Sequence, residues 1–354
     1  MANLKYGETH ITNITQLCGS GTWSLPTPEV VDPTQNCIIC IDNDLDFNDE
    51  GFYYHNDNFL SIFLPANTVA NSVIFDGQNH TLTNIYILQQ KSFFYVDDDN
   101  TSSADSCDLL IQNTTFEIVL NSLARMMTMP SGFRLDNLTF KNCIFNIKSI
   151  ADLDSIFYGN DNRGYPNAFI NCIFNIECNI PSNFKICSAD GNYDIFNIES
   201  CEFRIKILHA NPNCSITLVY NNTSMQHTRN TNFNNSLIFV NNYSNELVTI
   251  KLVRDTNTSS RSNIKSFTNN FISAFDGVSA DENKVSLDIE VAKGSATTLS
   301  SSFFIDTDCV SISSHLQELA DTTYPGMINL IPLTTAESKS PTEMAAKGYV
   351  FAQE

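Results

Sequence analysis

The sequence has 354 residues, of which 42% are hydrophobic and 16% are charged, with a formal net charge of −20 and an isoelectric point near 4.5. This excess of Asp and Glu excludes the usual route to DNA or RNA, which depends on Lys and Arg contacts with phosphates. No apolar run is long enough to span a membrane, and the polar segment 1–16 lacks the apolar core of a signal peptide. We therefore expect no nucleic-acid partner, no membrane span and no secretion through a cleaved leader.

The first 36 residues combine a Gly-Ser-Gly-Thr-Trp segment, 19–23, with a stretch that contains Pro26, Pro28 and Pro33. Proline lacks a backbone donor and is confined to the edges of sheets. We predict that residues 1–36 form an extended N-terminal lead-in, which caps the first strand of the following domain against pairing with other chains.

Cys37 and Cys40 have the spacing of half a zinc site. A structural zinc site needs further ligands, and no second Cys-x-x-Cys follows in the sequence. In an apolar strand, residues three positions apart also point to opposite faces. The pattern therefore favours core packing over metal binding.

The next polar segment imitates the start of a calcium-binding loop, with Asp46, Asn48 and Glu50 as alternate oxygen ligands and Gly51 at the turn. The twelfth position of the loop, however, holds Asp57 where the motif requires a bidentate Glu. We interpret the segment as an ordinary polar turn and assign no metal.

Residues 71–85 predict a strand, a tight turn and a second strand. Asp76 and Gly77 supply the turn, because glycine can take a positive φ, and apolar residues such as Phe75 and Leu82 can enter a core on either side. His80 lies in this turn and is assigned to it, since none of the six histidines has a Ser or Cys partner that the sequence places nearby.

A four-residue motif then recurs along the chain. Its first position is Asn or Ser, its second is a polar residue or Cys, its third varies, and its fourth is Phe. Its phenylalanines lie 29 residues apart at Phe116, Phe145, Phe174 and Phe203. A step of roughly 34 continues the series to Leu237, then Phe271, and then Phe303 or Phe304. A fixed period of this length indicates a stacked repeat protein.

The repeat unit is predicted to be β, because its segments are short, alternate in polarity and are rich in Ile, Phe, Val and Thr. In a parallel β-helix, equivalent residues of successive coils stack into ladders. We predict an inward ladder of the recurring phenylalanines, an inward ladder of Cys143, Cys172 and Cys201, and a polar ladder where the strand turns, with the members Asn113, Asn142 and Asn171. Most of the eleven cysteines are expected to be buried thiols without disulfide bonds.

The repeat pattern ends near Cys309. Residues 311–321 are compatible with a helix, and the segment 340–343, Ser-Pro-Thr-Glu, has the form of a helix-capping sequence. We predict a β-helix over residues 37–309 and a partly helical C-terminal cap or attachment tail over residues 310–354, with a disordered tail as the alternative.

The segment 71–85 reads Asn-Ser-Val-Ile-Phe-Asp-Gly-Gln-Asn-His-Thr-Leu-Thr-Asn-Ile. It resembles the opening coil of pectate-lyase-like right-handed β-helix proteins, in which a strand ending in Asp-Gly is followed by Asn-His-Thr and a second strand. With the repeats, the resemblance covers about residues 35–310. It implies an all-β fold, a right-handed single-stranded parallel β-helix, but indicates little about activity, because this fold hosts lyases, hydrolases, tailspikes, adhesins and virion proteins.

Two sets of charged residues are compared with the enzymes of this fold. The tripeptide 204–206, Arg-Ile-Lys, matches polygalacturonase-like hydrolases, which also need Asp pairs as acid and base. The acidic segments 97–99 and 306–308 do not reproduce the order of those enzymes along the chain, and their Gly-His-Gly motif is absent. We assign no catalytic, cofactor-binding or metal-binding residue, and we favour a protein that is not an enzyme.

The high Asn content and the Asn-Cys-x-Phe phrase also resemble β-helix repeat proteins encoded by large DNA viruses of eukaryotes. The leading hypothesis is a non-enzymatic virion protein, a capsid-associated or surface β-helix whose partners are other virion or capsid proteins or two further copies in a homotrimer. The first alternative is a polysaccharide-degrading or glycan-binding β-helix protein, and the second is a cell-surface adhesin, located extracellularly or at the cell surface.

Overall fold

The computed structural model describes residues 2–3, 7–18, 22–24, 36–48, 60–64, 73–87, 92–98, 107–120, 125–129, 135–149, 155–159, 167–180, 183–189, 195–221, 230–255, 263–275, 277–291 and 297–351. Two compact units are distinguished, the first comprising residues 1–172 with 189–193 and the second comprising residues 173–188 with 194–354. The predicted domain boundaries at residues 36 and 309 are separate from this division and stay predictions. Pro26, Pro28 and Pro33 of the predicted lead-in lie outside the described residues.

The first unit contains sixteen described strands and one short helix, in the order β1 (Ala2–Asn3), β2 (Gly7–Ile11), α1 (Ile14–Cys18), β3 (Thr22–Ser24), β4 (Cys37–Ile41), β5 (Leu45–Asp46), β6 (Leu60–Leu64), β7 (Val73–Asp76), β8 (Thr81–Ile87), β9 (Ser92–Asp98), β10 (Cys107–Gln112), β11 (Thr115–Leu120), β12 (Arg125–Met129), β13 (Leu135–Lys141), β14 (Ile144–Ser149), β15 (Ser155–Gly159) and β16 (Asn167–Ile170).

The second unit continues from Ile173 with β17 (Ile173–Ile180), β18 (Phe184–Ala189), β19 (Ile195–Glu199), β20 (Glu202–Ala210), β21 (Ser215–Asn221), β22 (Asn230–Asn234), β23 (Leu237–Asn242), β24 (Val248–Asp255), β25 (Asn263–Ser273), α2 (Ala280–Asn283), β26 (Val285–Val291), β27 (Thr297–Asp306), β28 (Ser311–Ile312), α3 (Ser314–Glu318), a π-helical turn (Leu319–Thr323), β29 (Ile328–Leu333), α4 (Thr335–Ser338) and α5 (Pro341–Ala346).

Each complete coil has three strands, and strands in the same place of successive coils pair in parallel. In the first unit, β7, β10 and β13 form part of a first-strand ladder, β8, β11 and β14 part of a second-strand ladder, and β9, β12 and β15 part of a third-strand ladder. The pairs β19–β22, β20–β23 and β21–β24 repeat the arrangement in the second unit. This architecture is the predicted right-handed parallel β-helix with a partly helical C-terminal region.

A one-residue bend joins the first and second strands of a coil. The bend residue is Asn or Ser in the left-handed conformation, with φ of 51° at Asn113, 53° at Asn142, 53° at Asn171, 54° at Ser200, 53° at Asn235 and 58° at Asn269. Asn tolerates this conformation because its short polar side chain hydrogen-bonds locally. In the first unit, Asn142 Nδ2 donates to Asn113 Oδ1 at 3.1 Å and Asn171 Nδ2 donates to Asn142 Oδ1 at 3.5 Å, which confirms the predicted polar ladder.

The residue after the bend is small, buried and hydrogen-bonded to the carbonyl two residues earlier. The donor is a hydroxyl in Thr114, at 2.7 Å, and in Ser236, at 2.9 Å, and a thiol in Cys143, at 3.4 Å. The nine cysteines whose side chains the structure describes form no disulfide and are buried, as predicted: Cys37, Cys40, Cys143, Cys172, Cys178, Cys187, Cys201, Cys214 and Cys309. The pKa of the Cys143 thiol is raised, mainly by a hydrogen bond with Cys172 and secondly by burial. This thiol therefore stays protonated at neutral pH.

The recurring phenylalanines point inward, as predicted. Phe116 and Phe145 stack in the first unit with ring centroids 5.4 Å apart, and Phe174 and Phe203 stack in the second with centroids 4.6 Å apart. All four side chains are fully buried. Burial of a side chain of this size is worth about 1.5–3 kcal/mol relative to exposure, so the column contributes substantially to the core.

The predicted continuation of this column beyond Phe203 is wrong by one residue. Phe203 pairs with Ile238, which pairs in turn with Ile272, whereas Leu237 pairs with Phe271. Because neighbouring residues of a strand point to opposite faces, Leu237 and Phe271 lie on the outer face of the coil. The repeat therefore changes from an inward Phe to an inward Ile after Phe203.

The role predicted for Gly77 is also corrected. The left-handed conformations of this turn belong to Gln78 and Asn79, with φ of 48° and 67°, whereas Gly77 is not among the residues with positive φ. A Cβ atom on Gly77 would lie 2.6 Å from the carbonyl oxygen of Asn113 and 2.2 Å from the hydroxyl oxygen of Thr114. Glycine is needed here because the next coil approaches the backbone closely.

Candidate functional site

Arg204 and Lys206, the basic residues of the hydrolase-like tripeptide, lie on the outer face of β20 in two separate ion pairs. Arg204 Nε is 2.6 Å from Glu202 Oε1, and Lys206 Nζ is 3.1 Å from Glu177 Oε2. All four side chains retain some exposure to solvent, and ion pairs of this kind contribute at most about 1 kcal/mol each. Lys206 Nζ also lies 5.7 Å from the centroid of the Tyr243 ring, so both basic residues make only surface contacts with side chains of the sheet.

The acidic candidates have different surroundings. Asp97 and Asp98 are the last residues of β9 in the first unit, and their side chains, like all of Asp99, lie outside the described residues. Asp306 ends β27 in the second unit and is fully buried, and Asp308 Oδ2 accepts a hydrogen bond of 2.8 Å from the backbone of Thr335. Asp306 and Asp308 therefore hold the C-terminal part of the chain.

The calcium-loop candidates are only partly described. Asp46 accepts hydrogen bonds from Asn84 Nδ2 at 2.7 Å and from the Asn48 backbone at 2.9 Å, and these bonds lower the pKa of Asp46. Glu50, Gly51 and Asp57 lie outside the described residues. Within the described part of the chain, no group of three or more His, Cys, Asp or Glu side chains is arranged to hold a metal ion.

The other two candidates are engaged in the fold. Cys37 and Cys40 are both buried, and burial raises the pKa of Cys37 to about 11. The backbone of His80 donates to the Gly77 carbonyl at 2.7 Å, and its ring Nδ1 lies 3.1 Å from Asp44 Oδ1. His80 thus belongs to the turn of the first unit, as predicted.

The feature of the described surface that stands out is a group of aromatic rings in the second unit, which we call the aromatic surface. It consists of Phe239, Tyr243, Phe275, Tyr349 and Phe351. Three of these side chains are strongly exposed: Tyr243 at 58%, Phe351 at 45% and Phe275 at 39%. Contiguous exposed apolar side chains are uncommon on soluble proteins and mark interaction sites.

Ring contacts connect the two edges of this surface. Phe275 stacks on Phe239 with centroids 5.6 Å apart, and Phe351 packs edge-on against Tyr349 at 5.0 Å. The buried ring of Phe271 joins the two pairs, because its centroid lies 5.9 Å from that of Phe239 and 6.3 Å from that of Tyr349. The buried rings of Phe271 and Tyr349 therefore link Phe275 to Phe351. Tyr243 joins the surface through Asn241, whose Nδ2 donates to the Tyr243 hydroxyl at 3.3 Å and whose Oδ1 accepts from the Phe275 backbone at 3.0 Å.

The C-terminal segment, residues 334–351, builds part of the patch by folding over the outer face of the second-strand ladder. Met344 and Tyr349 cover Phe271, Phe304 and Leu333, which form one apolar cluster. The Phe304 and Tyr349 rings lie edge to face at 5.1 Å. Burial raises the pKa of Tyr349 to about 12, which reflects how completely this ring is removed from water.

Polar contacts fix the C-terminal segment at both ends. At its start, the buried carboxylate of Asp306 accepts hydrogen bonds from Ser338 Oγ at 3.0 Å and Thr335 Oγ1 at 3.1 Å. Near its end, the Val350 backbone donates to Asn269 Oδ1 at 2.9 Å, and Asn269 Nδ2 donates back to the Val350 carbonyl. Asn269 is a bend residue, so the segment is anchored on the bend ladder itself.

Both helices of this segment have N-caps, and the sequence predicts one of them. Ser340 is the N-cap of α5, and its side chain accepts a hydrogen bond of 3.3 Å from the Glu343 backbone. Thr334 and Glu337 form a reciprocal capping box at α4, which the sequence interpretation missed. Lys347 Nζ donates to the Pro332 carbonyl at 2.9 Å and thereby occupies an acceptor of the terminal strand β29.

Neither the aromatic surface nor the covered cluster of Phe271 and Phe304 was predicted, although the sequence carries a signal for the cluster. Phe271-Ile272 and Phe304-Ile305 each place two large apolar residues side by side in a strand. Strand alternation allows only one of each pair to enter the core, so the other must face outward and be covered. The period of the repeat alone could not decide which residue faced inward.

The fold and the site define the class of the protein: a right-handed parallel β-helix whose C-terminal segment packs on the outside of its last coils. Comparisons with known proteins found no family model that matches the chain, no similar curated protein and no similar solved structure. Membership of the pectate-lyase-like family and a viral source therefore stay predictions from the sequence. Among the described residues, no helix is both long enough and apolar enough to cross a bilayer.

Proposed function

We propose that this chain is a non-enzymatic structural protein that docks into a larger particle through the aromatic surface, and that the particle is a virion. The observation that supports the proposal is the exposure of Tyr243, Phe275 and Phe351, which Asn241 and the ring contacts around Phe271 connect. Aromatic side chains are enriched at protein interfaces and provide much of their binding free energy. A partner that covered these rings would remove them from water.

The rigidity of the surface favours docking over adaptable binding. Phe239 and Phe271 stand on paired strands of adjacent coils, and the C-terminal segment is fixed by Asp306 and by Asn269. Rings on a rigid support lose little conformational entropy when a partner binds. The expected partner is therefore a capsid or other virion protein with a complementary apolar surface.

Quantitative mass spectrometry of gradient-purified virions tests this function. The wild-type chain is expected to be present at a constant ratio to the major capsid protein, and a Tyr243→Ser, Phe275→Ser double variant is expected to be incorporated at least about tenfold less. Ile264→Ser is the matched control, because Ile264 is an exposed apolar residue, at 47%, on the first-strand ladder and outside the surface.

Virions that lack the wild-type chain would overturn the proposal. Equal incorporation of the double variant and the control would show that the aromatic surface is not the site through which the chain docks. The sequence also predicts a homotrimer, and sedimentation of the purified chain tests for it. If the wild type is a trimer and the double variant is a monomer, the surface binds further copies of this chain.

A further inference from the structure

A second surface of the same unit combines positive charge with an aromatic ring. We call it the cationic row, and it consists of Lys185, Tyr220, Lys251 and Arg254 on the third-strand ladder. Lys185 Nζ lies 4.4 Å from the centroid of the Tyr220 ring, and Arg254 Cζ lies 5.2 Å from the same centroid. Both distances are within the range of a cation–π contact, so the ring stands between two cations.

The β-helix spaces these groups regularly. Lys185 is on β18, Tyr220 is on β21, and Arg254 is on β24 directly opposite Tyr220 in the strand register. Neighbouring strands of a sheet lie about 4.8 Å apart, so each coil brings one further donor to the row at that interval. Lys251 adds an ammonium group from the same strand as Arg254.

The carboxylate beside the row is shared. Glu290 Oε2 lies 3.0 Å from both Lys251 Nζ and Arg254 Nε. Burial opposes ionisation of Glu290, but the hydrogen bonds and charges of the two cations outweigh burial and lower its pKa. Glu290 thus neutralises only one of the two positive charges of Lys251 and Arg254. The nearby Asp288 carboxylate is engaged by Ser313 and His315.

We propose that the cationic row binds a segment of sulfated polysaccharide that runs along the axis of the coils. Ammonium, guanidinium and phenol groups are all donors, and a row of donors fits a chain that carries anionic oxygens at short intervals. A sulfate ester has three terminal acceptor oxygens against the two of a carboxylate, so donors from two adjacent coils can contact the same group.

A polysaccharide fits the site better than a nucleic acid does. Non-sequence-specific binding of DNA relies on many phosphate contacts at once, about 6–10 in a typical complex, whereas this row offers four side chains. The proposal does not depend on docking through the aromatic surface, which lies on another ladder.

Isothermal titration of the full chain with dextran sulfate tests the site. We expect binding that weakens at high salt, because exposed charges are screened, and no binding of neutral dextran. A Lys185→Gln, Arg254→Gln double variant is expected to bind at least about tenfold more weakly, since hydrogen bonds to charged groups are the strong ones. Lys148→Gln, at an exposed lysine on the outer face of β14, makes one such charge change outside the row and should leave the affinity unchanged.

Tyr220→Phe tests the site with a variant that is expected to fold normally. It keeps the ring between its two cations and removes only the phenol donor. It should weaken binding about threefold, with a circular dichroism spectrum and a thermal transition like those of the wild type. Failure of the wild-type chain to bind dextran sulfate, or unchanged affinity in both row variants, would overturn the site. Tighter binding of polygalacturonate or of duplex DNA than of dextran sulfate would overturn the assignment of the ligand.

Discussion

The outer face of the second-strand ladder differs between the two units although the bend beside it is the same. In the first unit this face carries polar side chains such as Thr115, Asn146 and Lys148. In the second unit β20 still carries Arg204 and Lys206 on this face, but the last coils carry Phe271 and Phe304, which the C-terminal segment covers. The repeat thus specifies the inside of a coil, where every layer must fit the next, and leaves the outside open to change.

Charge follows the same division. The first unit has 7 Lys and Arg against 21 Asp and Glu, a formal net charge of −14, whereas the second has 12 against 18, a net charge of −6. The basic residues are therefore concentrated where the aromatic surface and the cationic row lie. The second unit is still negative overall, but it repels acidic ligands less than the first unit does, so it is the part of the chain that we expect to meet them.

The largest expected effect is the difference in the free energy of unfolding between removing an inward ring and removing an outward ring. Phe145→Ala should lower the free energy of unfolding by about 3–5 kcal/mol, because it leaves a cavity in the stacked column, whereas Phe275→Ala should cost less than about 1 kcal/mol. Urea unfolding followed by circular dichroism measures both. Phe145→Leu, with a smaller cavity, provides the comparison if the alanine variant does not fold. Similar losses at positions 145 and 275 would contradict the distinction between inside and outside.

An intermediate effect is expected for Tyr349, which covers the outer face, and it concerns how the free energy of unfolding depends on pH. The pKa of Tyr349 is raised to about 12 from an ordinary value of 10, so the folded state holds the phenol proton more tightly than the unfolded state does. The resulting stability is complete below pH 10 and is lost as the pH rises from 10 through 12. Its size is on the order of 2 kcal/mol.

Urea unfolding of the wild type and of Tyr349→Phe at several pH values above neutrality tests this effect. The wild type should lose stability faster than the variant above pH 10, the ordinary pKa of the phenol. Buried thiols with raised pKa values, such as Cys37 and Cys178, also ionise in this range, but they are present in both proteins and cancel in the difference. Parallel losses in the two proteins would show that Tyr349 is not the group responsible.

The smallest expected effect concerns the bend that both units share. Asn142→Ala keeps a Cβ atom in the left-handed conformation and removes the amide, so it should cost about 1–2 kcal/mol. Asn142→Gly accepts this φ and should cost less, with the difference measuring the conformational part. Lys148→Ala, at an exposed lysine on the outer face of the following strand, should change the free energy of unfolding by less than about 0.5 kcal/mol. Equal costs for the alanine and glycine variants would mean that the amide ladder alone matters.

The sequence alone determined the fold of this protein, including the inward Phe and Cys ladders and the Asn ladder at the bend. These features repeat, and a repeat multiplies a local preference such as the tolerance of Asn for positive φ into a recognisable period. The capped helix after Ser340 was predictable for the same reason, because a cap depends on residues a few positions apart.

Only the tertiary structure decided which side of the coil Leu237 and Phe271 occupy and what covers Phe271. It also brought Asp306 together with Thr335 and Ser338, and Tyr220 together with the cations around it. These contacts join residues about 30 or more positions apart on faces where no repeat restricts the choice of residue. The inside of each coil is thus set by local pattern, and the surfaces that we expect to function are set by long-range packing.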